Sequence, residues 1–148
     1  MFKDRQEAGE KLVKKLRKII NSKDFAVVAL LRGGIVLGKK ISDYFKIPLF
    51  PLAVKKIGAP FNKELAIGAV TFDKTFYLYS DLIENLDVDK SYIENILNEK
   101  WKEAKNFQKR FPTSPRLRGA SNNSIKDKKV VIIDDGVATG TTAICASI

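Results

Sequence analysis

The sequence predicts an α/β fold: a mostly parallel sheet flanked by helices, with a short antiparallel hairpin. Three observations predict it. The apolar run Phe25 to Leu31 does not alternate, and a second apolar run ends at Ile133. Such runs suit strands covered on both faces, as in a parallel sheet. Stretches with apolar residues at helical spacing stand around them. Two short β-prone runs, Ala66 to Val70 and Thr75 to Ser80, are separated by Asp73-Lys74 and read as a hairpin. The 148 residues suit a single domain, 1–148, with one sizeable core.

The elements follow in order. Asp4 to Ile20 carries Ala8, Leu12, Leu16, Ile19 and Ile20 at helical spacing. Asp4 can cap this helix, with Glu7 in the capping-box position. Phe25 to Leu31 is the first strand, and Arg32-Gly33-Gly34 breaks it. Ile35 to Phe45 has helical spacing, Ile47-Pro48 closes it, and Leu49 to Val54 reads as a second strand. This is a β-α-β unit, which should cross over to the right. Lys55 to Asn62 reads as a loop with a basic entry and Gly/Pro punctuation. After the hairpin, Asp81 to Lys90 reads as irregular and acidic. Ser91 starts a long helix, with Glu94 in the capping-box position. Its stripe is Ile93, Ile96, Leu97, Trp101, Ala104 and Phe107, the pattern of a core face. Phe111 to Ser124 is a long basic loop, of a length that usually serves function or stays unstructured. A buried strand, Lys129 to Ile133, then runs into two acids, a turn of small residues and the start of a helix. The chain stops at Ile148, about two turns into that helix, where an α/β protein normally returns to another strand. The expectation is a C-terminally truncated chain whose sheet edge is left open.

Bulk properties exclude several classes. Nothing near 18 consecutive apolar residues occurs, so no membrane span is expected. The charged N-terminus lacks the apolar core of a signal peptide. A single cysteine, Cys145, cannot form an internal disulfide, which fits a reducing cytoplasm. The absence of histidine excludes a histidine base or metal ligand. The net charge of +10 could mark a nucleic-acid surface or attract a polyanionic small molecule. Its spread along the chain, alternating with Glu and Asp, favours a solvated surface. Little aromatic interleaving speaks for nucleic acid.

The chemistry concentrates in Ile132-Ile133-Asp134-Asp135-Gly136-Val137-Ala138-Thr139-Gly140-Thr141-Thr142. Ligands of open α/β sheets sit beyond the carboxyl ends of strands. Small residues before a helix let backbone N–H groups approach a phosphate. Two carboxylates directly upstream would repel that phosphate, so they should face sugar hydroxyls or a divalent metal. Phosphate plus diol describes a ribose 5-phosphate. Competing motifs fail: no lysine follows Gly140 as a Walker loop requires, and the three-glycine dinucleotide pattern is absent. A phosphoaspartyl hydrolase wants a second Asp where Gly136 stands. The plainer alternative is a turn-rich connection whose Asp pair only caps and solubilises it.

This stretch resembles the phosphoribosyl pyrophosphate (PRPP) binding motif of type I phosphoribosyltransferases. Leu31-Arg32-Gly33-Gly34 resembles the pyrophosphate loop of the same superfamily. The run from Lys55-Lys56-Ile57-Gly58-Ala59-Pro60 through Glu64 to Val70 resembles its branch of prokaryotic predicted phosphoribosyltransferases. The resemblance covers nearly the whole chain. It implies transfer of the phosphoribosyl group of PRPP to a nitrogenous base or related nitrogen nucleophile, with release of pyrophosphate. That is a glycosyltransferase activity of nucleotide metabolism, in the cytoplasm, and it leaves room for a homodimer. By resemblance, Asp134 and Asp135 engage the ribose hydroxyls and act in catalysis. Ala138, Thr139, Gly140, Thr141 and Thr142 hold the 5-phosphate, and Arg32, Gly33, Gly34 and Lys55 serve the pyrophosphate. The cofactor implied is Mg²⁺, held mostly by substrate and water, with Asp134 and Asp135 as its candidate protein ligands. Either Asp81 to Lys90 or the basic loop Arg116 to Arg118 is a candidate to close over the site.

Two positions depart from the family pattern. Gly136 replaces a larger apolar residue. Ala138 stands where purine-salvage members often carry an Asp that assists with the base. Loss of that acid keeps open a non-catalytic PRPP- or nucleotide-binding regulator. A basic nucleic-acid module is the remaining alternative, and it would show a salt-steep affinity that survives Asp134→Ala.

Overall fold

The structure, a computed structural model, describes residues 3–111 and 125–148. These fall into two compact units. One comprises residues 3–51 and 125–136, the other residues 52–111 and 137–148.

The first unit is built on a three-stranded sheet in the order β2-β1-β6, with β1 at Phe25–Leu30, β2 at Leu49–Leu52 and β6 at Lys129–Ile133. β1 is buried at every position, as its unbroken apolar run predicts. It pairs in parallel with β6, from Phe25 opposite Lys129 to Ala29 opposite Ile133. On its other side the Val27 N–H donates to the Pro48 carbonyl at 2.8 Å. The second strand and the last therefore flank the first. β6 departs from expectation in burial. Lys129 and Val130 are exposed, Val131 and Ile132 are half-buried, and only Ile133 is buried. The reason is topological, since β6 is an outer strand of this sheet.

Helix α1, Arg5–Leu16, is shorter than its apolar pattern suggests; Ile20 is buried beyond its end while Ile19 is exposed. Asp4 caps it as predicted, its Oδ1 accepting from the Glu7 N–H at 2.8 Å. Helix α2, Gly34–Phe45, follows β1 and packs on the sheet through Gly38, whose α-carbon lies against Ala29, Leu49 and Val27. Val13, Leu16, Phe25, Val27, Leu37, Ile41 and Ile133 form this unit's core.

The second unit holds a three-stranded antiparallel sheet in the order β3-β4-β5, with β3 at Val54–Gly58, β4 at Ala66–Thr71 and β5 at Phe76–Leu78. The predicted hairpin is there, with Lys74 turning at φ 73°. It is extended by β3, where the sequence predicts a loop. Lys55 and Lys56 are strand residues, paired with Val70 and Ala69. The predicted strand Leu49 to Val54 is broken at Ala53, whose N–H donates to the Gln108 side chain at 2.7 Å. Asp81 to Lys90 is not irregular: helix α3 spans Ser80–Asn85, and Leu82, Ile83 and Leu86 pack on the core of this unit. Helix α4, Lys90–Gln108, starts one residue earlier than expected. Asp89 caps it through the Ser91 N–H at 2.6 Å, in place of the predicted Ser91/Glu94 box. Trp101 packs half-buried against this unit's core, its indole N–H donating to the Phe72 carbonyl at 3.0 Å. Helix α5, Thr141–Cys145, packs on β4, with the Cys145 thiol 3.4 Å from the Ala69 carbonyl.

Candidate functional site

In the first unit, β1 and β6 run parallel, so their carboxyl ends point the same way. Arg32-Gly33-Gly34 leaves β1 there, and Asp134-Asp135 leaves β6. The two motifs meet through the glycines. A β-carbon on Gly33 would lie 1.8 Å from Asp135 Oδ2 and 2.1 Å from Oδ1. On Gly34 it would lie 2.5 Å from the Ile133 carbonyl oxygen. Gly33 is right-handed helical, at φ −64° and ψ −38°. What fixes glycine at this position is close approach and not an unusual backbone angle. Arg32 is exposed at the start of this turn, and the Leu31–Arg32 peptide is cis.

The two carboxylates differ. Asp135 is bound by Arg5 from the first turn of α1, with Nε at 3.0 Å and Nη2 at 2.6 Å from the same oxygen, Oδ2. That guanidinium holds the Asp135 carboxyl below its ordinary range, against the opposing effect of burial. Asp134 is half-buried, and burial pushes its carboxyl up; the neighbouring Asp135 charge adds to the rise. One Asp134 oxygen accepts the Asp135 N–H at 2.8 Å, which partly offsets it.

The residues after Gly136 belong to the second unit. Ala138 and Thr139 are exposed, and Gly140 takes φ 76° as it caps α5. The Thr139 and Thr141 hydroxyls lie 2.8 Å apart, and Thr141 is buried. A β-carbon on Gly136 or Gly140 would meet nothing within 4 Å. Lys55 is also in the second unit, its ammonium 3.6 Å from Glu103 Oε2 and 5.1 Å from the centre of the Phe107 ring. Among the site residues drawn from the sequence, the first unit thus brings together Arg32, Gly33, Gly34, Asp134 and Asp135. The candidate closing loop Arg116 to Arg118 lies outside the described residues.

Among the described residues no three His, Cys, Asp or Glu side chains converge on a metal position. Two neighbouring carboxylates fit a divalent cation that draws most of its shell from water and ligand oxygens, and do not form a cage. Sequence reasoning missed Arg5. The signal was there: a cation in the first helical turn runs against the helix dipole and asks for a partner elsewhere.

Among the described residues no helix is long and apolar enough to cross a membrane. The chain is similar to two proteins from different strains of Mycobacterium tuberculosis, each named "Putative phosphoribosyl transferase". Each is 32% identical over 143 residues, covering 97% of this chain and 31% of the relative. The chain therefore spans about a third of the length of these curated relatives. It is also similar to the crystal structure of TT1426 from Thermus thermophilus, with TM-score 0.74 and 30% identity, over 99% of this chain and 66% of that one. The model of the phosphoribosyl transferase domain matches residues 2–146, and the chain belongs to that family.

Proposed function

We propose that the protein binds PRPP and transfers its phosphoribosyl group to a nitrogen nucleophile, releasing pyrophosphate. One observation carries the reading: the backbone of the Arg-Gly-Gly turn sits against the acid pair at the carboxyl ends of two parallel strands. A pyrophosphate held by the turn and a sugar diol held by the acids are adjacent parts of one ligand.

In this reading Arg32 forks onto phosphate oxygens. The N–H groups at Gly33 and Gly34 approach closely because no side chain intervenes. Asp134 and Asp135 accept from the ribose hydroxyls and stabilise positive charge developing on the sugar ring as pyrophosphate leaves, a preorganised electrostatic effect. The sequence that follows, Ala138 to Thr142, takes the 5-phosphate with backbone N–H groups and threonine hydroxyls. Asp134 and Asp135 are the residues that would hold Mg²⁺. When bound, that ion supplies charge neutralisation on the pyrophosphate.

A second reading has one observation in its favour. Ala138 offers only a methyl group where purine-salvage relatives often carry an acid, so a PRPP-responsive regulator without catalysis stays open. Calorimetric titration of the full-length protein with PRPP and Mg²⁺, beside an assay for pyrophosphate with a panel of nitrogenous bases, separates the two. Binding with release supports transfer; binding without release supports the regulator. No binding refutes both.

A further inference from the structure

We propose that Arg5 is a positioning residue for the acid pair, holding the Asp135 carboxylate in the orientation that meets the ribose of PRPP. The inference rests on the PRPP reading above and adds a residue of α1 to that site.

Arg5 places both Nε and Nη2 on a single oxygen, Oδ2. A fork on one oxygen fixes the rotation of the carboxylate and leaves Oδ1 out of that contact. Gly33 restricts the same group, since the space beside its α-carbon is filled by the Asp135 carboxyl atoms. The carboxylate is therefore set by a guanidinium and by the backbone of the Arg-Gly-Gly turn together. Its side chain is only 28% exposed as a result, although it stands just past a strand end.

The helix that presents Arg5 is itself fixed. Asp4 caps it, Gly9 lies close against Lys40 of α2, and Lys40 Nζ reaches Glu10 Oε1 at 2.6 Å. Helix α2 in turn begins at Gly34, so one packed pair of helices carries both the turn and the residue that orients the acid. The Arg5 side chain is 60% exposed, and an ion pair of that exposure adds little to stability. As the first residue of α1, Arg5 also works against the helix dipole. Neither helix formation nor stability accounts for an arginine here, whereas the geometry of Asp135 does.

The test is a mutant cycle on the full-length protein, read by calorimetric titration with PRPP in the presence of Mg²⁺, and by thermal melting. Asp135→Asn should weaken PRPP binding about tenfold, and Arg5→Ala severalfold, as an exposed ion pair allows. The double variant should bind no more weakly than Asp135→Asn alone, because Arg5 acts through that carboxylate. Arg5→Lys should recover part of the loss, since an ammonium restores the charge but not the two-donor contact. All variants should melt close to the wild type. Additive losses would mean that Arg5 touches the ligand itself, and would overturn the proposal, as would wild-type affinity in Arg5→Ala. A wild-type protein that fails to bind PRPP refutes the PRPP reading instead, and the unmutated protein alone reveals it.

Discussion

Gly33 lies so close to Asp135 that a methyl group on its α-carbon would fall 1.8 Å from the carboxylate oxygen Oδ2. The neighbouring Gly34 is as tightly placed, but against the main chain, at 2.5 Å from the Ile133 carbonyl. One glycine faces a side chain that can rotate away; the other faces a strand that cannot.

The two alanine variants should therefore fail in different ways. Gly33→Ala should fold, displace Asp135 from Arg5, and weaken PRPP binding, with a small change in Tm. Gly34→Ala must push α2 off β6, an overpacking cost of about 1–3 kcal/mol. For a chain of this size that lowers Tm by roughly 2–4 °C per kcal/mol. Melting curves and PRPP titration on both variants check this. Equal Tm losses would show that Gly33 is needed for the fold and not for the acid.

Much of this was legible from sequence, and the exceptions have physical causes. The non-alternating run Phe25 to Leu31 announced a strand buried on both faces, and it is. Asp4 announced a cap because an N-cap is a local event, decided within four residues. The Asp134-Asp135 stretch and the Arg32 turn were recognisable because their residue types suit ligands and strand ends. What local patterns missed depends on distant partners. β3 became a strand through pairing with β4, although Lys55-Lys56 and the following Gly58 read as a loop. Asp135 acquired Arg5 from 130 positions away. Lys55 looked like a residue of a loop, yet its partners Glu103 and Phe107 are on α4.

Lys55, which the family resemblance places on the pyrophosphate, is the residue whose proposed role is most easily separated from structure. Its Glu103 contact, at 3.6 Å, is longer than the 2.6 Å contact from Lys100, the main cause of the lowered Glu103 carboxyl. Lys55→Ala should cost at most about 1 kcal/mol of stability. If Lys55 neutralises pyrophosphate, the same change weakens PRPP binding severalfold, and Glu103→Gln does not. Unchanged affinity in Lys55→Ala removes it from the site.

Cys145 reports on the docking of α5. Its thiol is buried between the Ala69 and Thr75 carbonyls, and burial pushes its pKa up. Only the thiolate attacks an alkylating reagent. The native protein should thus react slowly with iodoacetamide at pH 8, and reaction should follow the denaturant-induced unfolding of this region. Rapid reaction in the absence of denaturant would show that α5 is not held on β4.

Asp134 and Asp135 should separate by pH as well as by position. Burial raises the folded pKa of Asp134 above its unfolded value. The folded state then holds its proton more tightly, so stability from this group is present at low pH and lost as pH rises through the folded pKa. At pH 7 the ionised Asp134 is a cost. Asp134→Asn keeps an oxygen for the Asp135 N–H and removes the charge, so it should raise Tm slightly at pH 7. That gain should shrink as pH falls and vanish where the wild-type carboxyl is itself protonated. Asp135 carries the opposite sign. Arg5 lowers its folded pKa, so its contribution is present above the unfolded pKa and lost as acid protonates the folded carboxyl. Asp135→Asn should therefore lower Tm slightly at pH 7, with the deficit closing towards acid. Both substitutions should weaken PRPP binding at pH 7, whichever way they move Tm. Thermal melts of the two variants from about pH 2 to pH 8 check the signs, since the Asp135 deficit closes only below the unfolded carboxylate value of about 3.9. A Tm gain in Asp134→Asn that grows towards low pH would contradict the burial of Asp134 at the strand end.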